Sequence, residues 1–135
     1  MSEHCVYSYN ILKNDIGKKM PHIKLALSNN IQEREDIQEF FHECHTLLVR
    51  DLPTKLDSCK SRLLVHDVFR VGDGIHHNGF IHLEVRILPG REDTLLNEIA
   101  ANLLKLLQKH FAQSLMTLKP ATSVEIATLQ HYHKV

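Results

Sequence analysis

The chain has 135 residues, of which 43% are hydrophobic, and sixteen Lys and Arg side chains balance sixteen Asp and Glu. This length and composition predict one soluble globular domain with a sizeable core, and the zero formal charge argues against nucleic acid or an anionic membrane as the main partner. No apolar run approaches the ~20 residues of a membrane span, and the first residues lack the basic and then apolar pattern of a secretory signal.

Residues 1–20 differ in character from the rest of the chain. The segment 6–11 could pair as an edge strand, and residues 14–19 are typical of a turn, but neither carries residues arranged for chemistry. We interpret residues 1–20 as an N-terminal extension, either native or the result of a start codon chosen too early. Residues 21–130 are then the folded domain, and residues 131–135 a loose tail.

The first half of the domain predicts a strand, a helix and a second strand. Apolar residues alternate with polar ones over 22–27, which indicates a strand with one apolar face. Asn30 followed by Glu33 resembles a capping box, and apolar residues at helical spacing then predict a helix from Ile37 to about Arg50. A strand over residues 61–70 follows, and Val71-Gly72-Asp73-Gly74 has turn chemistry.

The second half repeats this plan about sixty residues later. Residues 80–88 alternate strictly and predict a strand, residues 91 to about 112 predict a helix, and residues 122–129 predict the last strand. We therefore expect an α+β fold of β-α-β, a hairpin, and β-α-β. Each crossover joins parallel strands and should be right-handed, so both helices cover the same face of one four-stranded sheet.

The other face of the predicted sheet is polar. Its charged or titratable side chains are His22, Lys24, His82, Glu84 and Arg86. A face this rich in charge either meets water or closes around a site between subunits. We expect an oligomer that uses its strand edges and keeps this face wet.

Histidine and cysteine motifs elsewhere are weaker signals. His42 and His45 have a spacing known from metal ligands, but Cys44 between them falls on the apolar helix stripe and no second ligand pair is evident. We expect no metal site. Cys5, Cys44 and Cys59 are odd in number and unpatterned, which favours free thiols in the reducing cytoplasm.

The residue with the most distinctive chemistry is Pro21. Proline within a peptide bond is an amide with no basic lone pair, whereas proline at a free N-terminus is a secondary amine that can take and return a proton. Pro21 follows a methionine and leads into an alternating strand. Without further motifs, a strand-start proline would be the simpler interpretation.

Further motifs are spaced along residues 20–126. They are Met20-Pro21-His22, Ser28–Ile31, Lys60-Ser61-Arg62, Asp67, Asp73-Gly74 with His76, Phe80-Ile81-His82 and Gly90-Arg91. On these residues the chain resembles the tautomerase superfamily, and within it the 5-carboxymethyl-2-hydroxymuconate delta-isomerase family. A lone Met-Pro would not be specific, but the whole spaced set is.

The resemblance implies a homotrimer of β-α-β-β-α-β subunits with Pro21 as the catalytic base. It implies that Arg91 binds a substrate carboxylate, and that Lys60 stands where the family has an arginine for the substrate's anionic end. Lys supplies charge but not the planar fork of Arg. Arg62 adds a second cation on the same strand face as Lys60. His82 and Phe80, on the polar sheet face, are further candidates to line the site.

The implied reaction moves a proton within an unsaturated 2-hydroxy or 2-oxo diacid in aromatic-acid catabolism, and it needs no cofactor or metal. Burial and nearby cations should lower the pKa of a free Pro21 amine towards neutral pH, where a base is most useful. The same cations, Lys60, Arg62 and Arg91, would hold the substrate's carboxylates and stabilise the dienolate.

Two other functions stay open on the sequence alone. If the extension masks Pro21, the chain is a non-catalytic relative that binds an organic acid or a partner protein. Alternatively, the Lys at position 60 suits a broader keto–enol tautomerase acting on phenylpyruvate-like monoacids. Arg91 as a solvated helix residue, and Lys60 with Arg62 as a solvated strand end, are the plainer interpretations of those residues.

Overall fold

The structure is a computed structural model that describes residues 20–135, so the predictions made for residues 1–19, including Cys5, lie outside the described residues. Within these residues there are four strands: β1 (His22–Ser28), β2 (Lys60–His66), β3 (Phe80–Ile87) and β4 (Ala121–Thr128). The helices are α1 (Ile37–Asp51), α2 (Asp93–His110) and the short α3 (Ala112–Thr117), with a 3₁₀ turn at Leu56–Ser58. The predicted α+β class and β-α-β-β-α-β order are confirmed.

The strands form one mixed sheet in the order β2-β1-β3-β4. β1 pairs parallel with β2 and antiparallel with β3, and β3 pairs parallel with β4. The predicted hairpin between the second and third strands is wrong, because β1 lies between them. Neighbours in sequence usually pair, but here the central positions go to β1 and β3, whose inward side chains Ile23, Leu25, Leu83 and Val85 are fully buried.

Both long helices cover one face of the sheet, as predicted. Phe40, Cys44 and Leu48 of α1, together with Leu103 and Leu107 of α2, join the inward strand residues in one core. The large apolar side chains of α1 and α2 recur at helical spacing, so a single stripe of each helix is buried. The opposite sheet face carries the polar side chains that the alternation predicted.

The predicted capping box at Asn30 and Glu33 is wrong. α1 begins at Ile37, and its N-cap residue Asp36 makes no side-chain cap hydrogen bond. Glu33 instead accepts hydrogen bonds from the backbone N–H and the hydroxyl of Ser114, at 2.6 and 2.8 Å. The Glu33 carboxylate therefore pairs with Ser114 of α3, far away in the sequence, and does not cap the N-terminus of α1.

The cysteines and His45 of the weaker motifs have surroundings that fit a role in the fold. Cys44 and Cys59 are free thiols, and burial raises the pKa of Cys44 to about 12. His45 contacts the Ser61 hydroxyl at 2.7 Å. Among residues 20–135 no group of three or more His, Cys, Asp or Glu side chains could hold a metal ion. Over the same residues, no helix combines the length and apolarity that crossing a membrane requires.

Candidate active site

One end of the sheet collects the N-terminus of β1, the N-terminus of β2 and the C-terminus of β3. β2 runs parallel to β1, so Lys60 pairs with His22 beside Pro21. β3 runs antiparallel, so Arg86 also pairs with His22. The chain then leaves this end of β3 and reaches Arg91 before α2. Strand directions alone therefore bring residues from distant parts of the sequence to the same end of the sheet as Pro21. We call this end of the strands, with Pro21, Lys60, Arg62 and Arg91, the cationic edge.

Pro21 is buried at this edge, and its carbonyl oxygen accepts a hydrogen bond from the backbone N–H of Lys60 at 3.2 Å. Met20, which precedes it, is 3% exposed and has a backbone φ of 127°. This is a region that residues with a Cβ atom rarely adopt, so the backbone of Met20 itself is in a strained conformation.

Next to Pro21, His22 lies between two partners on the open sheet face. Its Nδ1 atom contacts Nη2 of Arg62 at 3.0 Å, and its Nε2 atom contacts the hydroxyl of Tyr132 at 3.2 Å. Burial lowers the pKa of His22, and the charges of Arg62 and Lys60 lower it further. The field at this edge of the sheet therefore disfavours an added proton.

The side chains of Lys60 and Arg91 are anchored by backbone carbonyls. The ammonium of Lys60 donates to the carbonyl of Ser58 at 3.2 Å. Nε of Arg91 donates to the carbonyl of Leu52 at 2.9 Å, and Nη2 of Arg91 donates to the carbonyl of Pro53 at 3.5 Å. Burial lowers the pKa of the Arg91 guanidinium. A partly desolvated, positioned guanidinium is suited to binding a carboxylate.

Phe80 and His82 are not part of this cluster within one chain. Both lie on the open sheet face, but His82 pairs with Ala26 and Phe80 lies at the end of β3 furthest from Pro21. At a rise of about 3.3 Å per residue, His82 is roughly 13 Å along the sheet from His22. His82 contacts the Ser123 hydroxyl at 2.7 Å, and Phe80 packs against the rings of His66 and Phe69.

Sequence reasoning did not include two residues, His22 and Tyr132, that contact each other at this edge. His22 was placed on the polar face but not in the site, and Tyr132 was placed in a loose tail. Residues 131–135 have no helix or strand, yet Tyr132 contacts His22 both by its hydroxyl and by its ring, whose centroid is 5.9 Å away. The signals for His22 were its position directly after Pro21 and its place in the Met20-Pro21-His22 motif.

The profile of the family described as 5-carboxymethyl-2-hydroxymuconate isomerase matches residues 21–135. The chain belongs to this isomerase family. The match begins at Pro21, the residue around which the buried edge of the sheet is built.

Individual relatives of the isomerase family agree with this assignment. A 5-carboxymethyl-2-hydroxymuconate Delta-isomerase of Escherichia coli is 28% identical over 110 residues, which cover 82% of this chain and 87% of the relative. The crystal structure of a 5-carboxymethyl-2-hydroxymuconate isomerase from Deinococcus radiodurans R1 superposes with a TM-score of 0.79 at 23% identity, covering 87% of this chain and 90% of that one.

A structure described as a fused 4-OT wild-type symmetric trimer shares the tautomerase-like fold, with a TM-score of 0.63 and 14% identity, covering 80% of this chain and 85% of that one. At this identity the likeness concerns the fold alone.

The chain also has a cleft of about 610 Å³ elsewhere. It lies between the segment after β1 and the end of α2, and Glu33, Phe40, His110 and Ser114 contribute to its lining. This is the opposite end of β1 from Pro21. The cleft is therefore separate from the end of the sheet that holds Pro21, Lys60 and Arg91, although Asn30 of the Ser28–Ile31 motif contributes to its lining.

Proposed function

We propose that this chain isomerises an unsaturated 2-hydroxy or 2-oxo acid of the 5-carboxymethyl-2-hydroxymuconate type, with the free amine of Pro21 as the base. The observation that carries the proposal is the position of Pro21, which is buried and next to a histidine whose pKa is lowered by burial, Arg62 and Lys60. The same surroundings would favour the unprotonated form of a free Pro21 amine. The proposed setting is aromatic-acid catabolism in the cytoplasm.

The reaction requires only the transfer of one proton within the substrate. The O–H bond at C2 of the dienol breaks, a carbonyl forms there, and a C–H bond forms at the far end of the diene. Substrate and product are isomers, so no electrons enter or leave. An amine that accepts the first proton and returns it to carbon completes the cycle, which is general acid–base catalysis by one group.

Among the described residues, three of the cations at this edge match the charge of such a substrate. 5-Carboxymethyl-2-hydroxymuconate has two muconate carboxylates and a third on its carboxymethyl branch, so this substrate is a triacid and not the diacid inferred from the sequence. Arg91 offers a positioned guanidinium, Lys60 an ammonium and Arg62 an exposed guanidinium. These groups would hold the substrate by charge-assisted hydrogen bonds and stabilise the negative charge of the dienolate as it develops.

We also propose that the working form is a homotrimer. Support comes from the shared fold with a symmetric trimer and from the open polar sheet face, which includes Lys24, Glu84 and Arg86. In such an assembly, Phe80 and His82 of one subunit could line the site of another, although they lie far from Pro21 of their own chain.

The substrate class is tested by comparing a triacid with a monoacid. A chain that begins at Pro21 is expected to turn over 5-carboxymethyl-2-hydroxymuconate with a kcat/KM at least about 100-fold above that for phenylpyruvate, because charged hydrogen bonds contribute about 1.5–3 kcal/mol each. Ultraviolet absorbance follows both reactions. A higher kcat/KM for phenylpyruvate would instead identify a broader keto–enol tautomerase.

The role of Lys60 is tested by replacing it with arginine, whose guanidinium is planar. Lys60→Arg is expected to lower the KM for the triacid about threefold to tenfold, because a planar guanidinium binds carboxylate with two parallel hydrogen bonds. Lys55→Arg, an exposed lysine of the preceding connection, is the matched control and should leave KM unchanged. An unchanged KM for Lys60→Arg would place Lys60 outside the substrate site.

A second candidate function follows from Met20. This residue is 3% exposed and joined to Pro21 by a peptide bond. In that state Pro21 is an amide, and the cationic edge could only bind an organic acid or a partner protein without turnover. Binding of the triacid by the full chain, with no isomerisation by either the full chain or a chain that begins at Pro21, would favour this alternative.

A further inference from the structure

The segment after β4 turns back onto the open sheet face. The backbone N–H of Leu129 donates to the carbonyl of Ile87 at 2.7 Å, which holds the start of this segment at the same edge as Pro21. His131 then adopts a left-handed conformation with φ of 51°, unusual for a residue with a Cβ atom. The turn places the Tyr132 hydroxyl 3.2 Å from Nε2 of His22.

The direction of each hydrogen bond follows from the donors available. A guanidinium can only donate, so Arg62 donates and Nδ1 of His22 accepts. His22 is then neutral with its proton on Nε2, and this N–H donates to the oxygen of Tyr132. The hydroxyl hydrogen of Tyr132 is therefore not used by His22. Tyr132 is 36% exposed, so this hydrogen can be donated to a ligand on the open face.

We propose that Tyr132 and Arg62 form a subsite that binds one carboxylate of the substrate, with His22 positioning both. This inference rests on the proposed function, because it adds a recognition element to the same site. Arg62 retains further N–H groups and supplies the charge, while Tyr132 supplies a neutral donor. The subsite serves the carboxylate that distinguishes a triacid from a diacid, since Lys60 and Arg91 provide for the other two.

The arrangement is tested by nuclear magnetic resonance of the histidine rings in the full chain. We expect the ¹⁵N shifts of His22 at pH 7 to show a neutral ring with the proton on Nε2. A ring with its proton on Nδ1 would overturn the proposal, because Tyr132 would then donate its hydrogen to His22. This measurement needs no turnover, so it remains decisive if the isomerase activity is absent.

Ligand recognition is tested in the same samples with two stable acids that share a five-carbon chain. Propane-1,2,3-tricarboxylate is glutarate with an additional central carboxylate, and it is expected to bind at least tenfold more tightly than glutarate, with shifts at His22. Tyr132→Phe should reduce this preference at least fivefold, whereas His133→Ala, an exposed neighbour in the same tail, should retain it. A preference unchanged in Tyr132→Phe would overturn the proposal.

Kinetics then separate the subsite from the catalytic base. In a chain that begins at Pro21, Tyr132→Phe is expected to raise the KM for 5-carboxymethyl-2-hydroxymuconate about tenfold, with kcat changed less than threefold and the KM for 2-hydroxymuconate unchanged. Equal increases for both substrates would overturn the subsite while leaving the proposed function intact. Absence of turnover by the unsubstituted chain would contradict the proposed function, and the two resonance measurements would still decide the subsite.

Discussion

A chain that begins at Pro21 is expected to isomerise 5-carboxymethyl-2-hydroxymuconate at least about 1,000-fold faster than the full chain, because general acid–base catalysis contributes about 10²–10⁴-fold and an amide nitrogen cannot supply it. The measurement is kcat for the two purified forms, after mass spectrometry has verified each N-terminus. The family match to residues 21–135 makes the shorter form a sound unit for this comparison.

Two further variants separate the chemistry of the nitrogen from the bulk of the preceding residues. A single alanine added before Pro21 acylates the nitrogen with minimal bulk and should abolish most of the turnover. Pro21→Gly keeps a free amine and should retain part of it. Equal, appreciable turnover by the full chain and the chain that begins at Pro21, both verified as intact, would contradict the amine mechanism.

The pH profile of the chain that begins at Pro21 tests the direction in which the pKa of the Pro21 amine is shifted. The pKa of His22 is lowered by its burial and by Arg62 and Lys60, and the neighbouring amine would feel the same influences. The acidic limb of kcat/KM, which reports the free base, should therefore lie below the ordinary pKa of a secondary amine. The activity is then present above that limb and lost as the pH falls through it.

The sequence predicted the sheet, its helices and its polar face because alternation and helical spacing are local properties. Ile23, Leu25 and Leu27 show the period of a strand without any knowledge of their partners. The order of strands depends instead on which apolar faces can be buried together. The extended pattern of residues 61–70 predicted a hairpin with β3, but the more fully buried β1 took the place between them.

The site was partly predictable for a related reason. Pro21, Lys60 and Arg91 were found through spaced motifs, and parallel and antiparallel pairing then placed them at one edge of the sheet. Phe80 and His82 share the predicted face but lie far along it, since periodicity fixes the face of a strand and not the position along it. Tyr132 depends on a turn at His131, which no local pattern indicated.

Arg91 is expected to account for a large part of substrate binding, and Arg91→Ala should lower kcat/KM for 5-carboxymethyl-2-hydroxymuconate about 10-fold to 150-fold in the chain that begins at Pro21. Loss of a charged, bidentate partner for a carboxylate has an effect of about 1.5–3 kcal/mol, and partial burial of Arg91 strengthens the attraction. Arg91→Lys keeps the positive charge but lacks the planar guanidinium, so its kcat/KM should lie between those of the unsubstituted chain and Arg91→Ala.

A structural role for Arg91 would give a different result. Its hydrogen bond to the carbonyl of Leu52 joins the start of α2 to the end of α1, so Arg91→Ala should also lower the free energy of unfolding by about 1 kcal/mol. Arg50→Ala is the matched control, because Arg50 is exposed nearby and pairs with Asp51 at 2.7 Å. Reduced stability with an unchanged kcat/KM would show that Arg91 supports the fold and does not bind the substrate. An equal loss of kcat/KM in Arg50→Ala would show that the loss is not specific to Arg91.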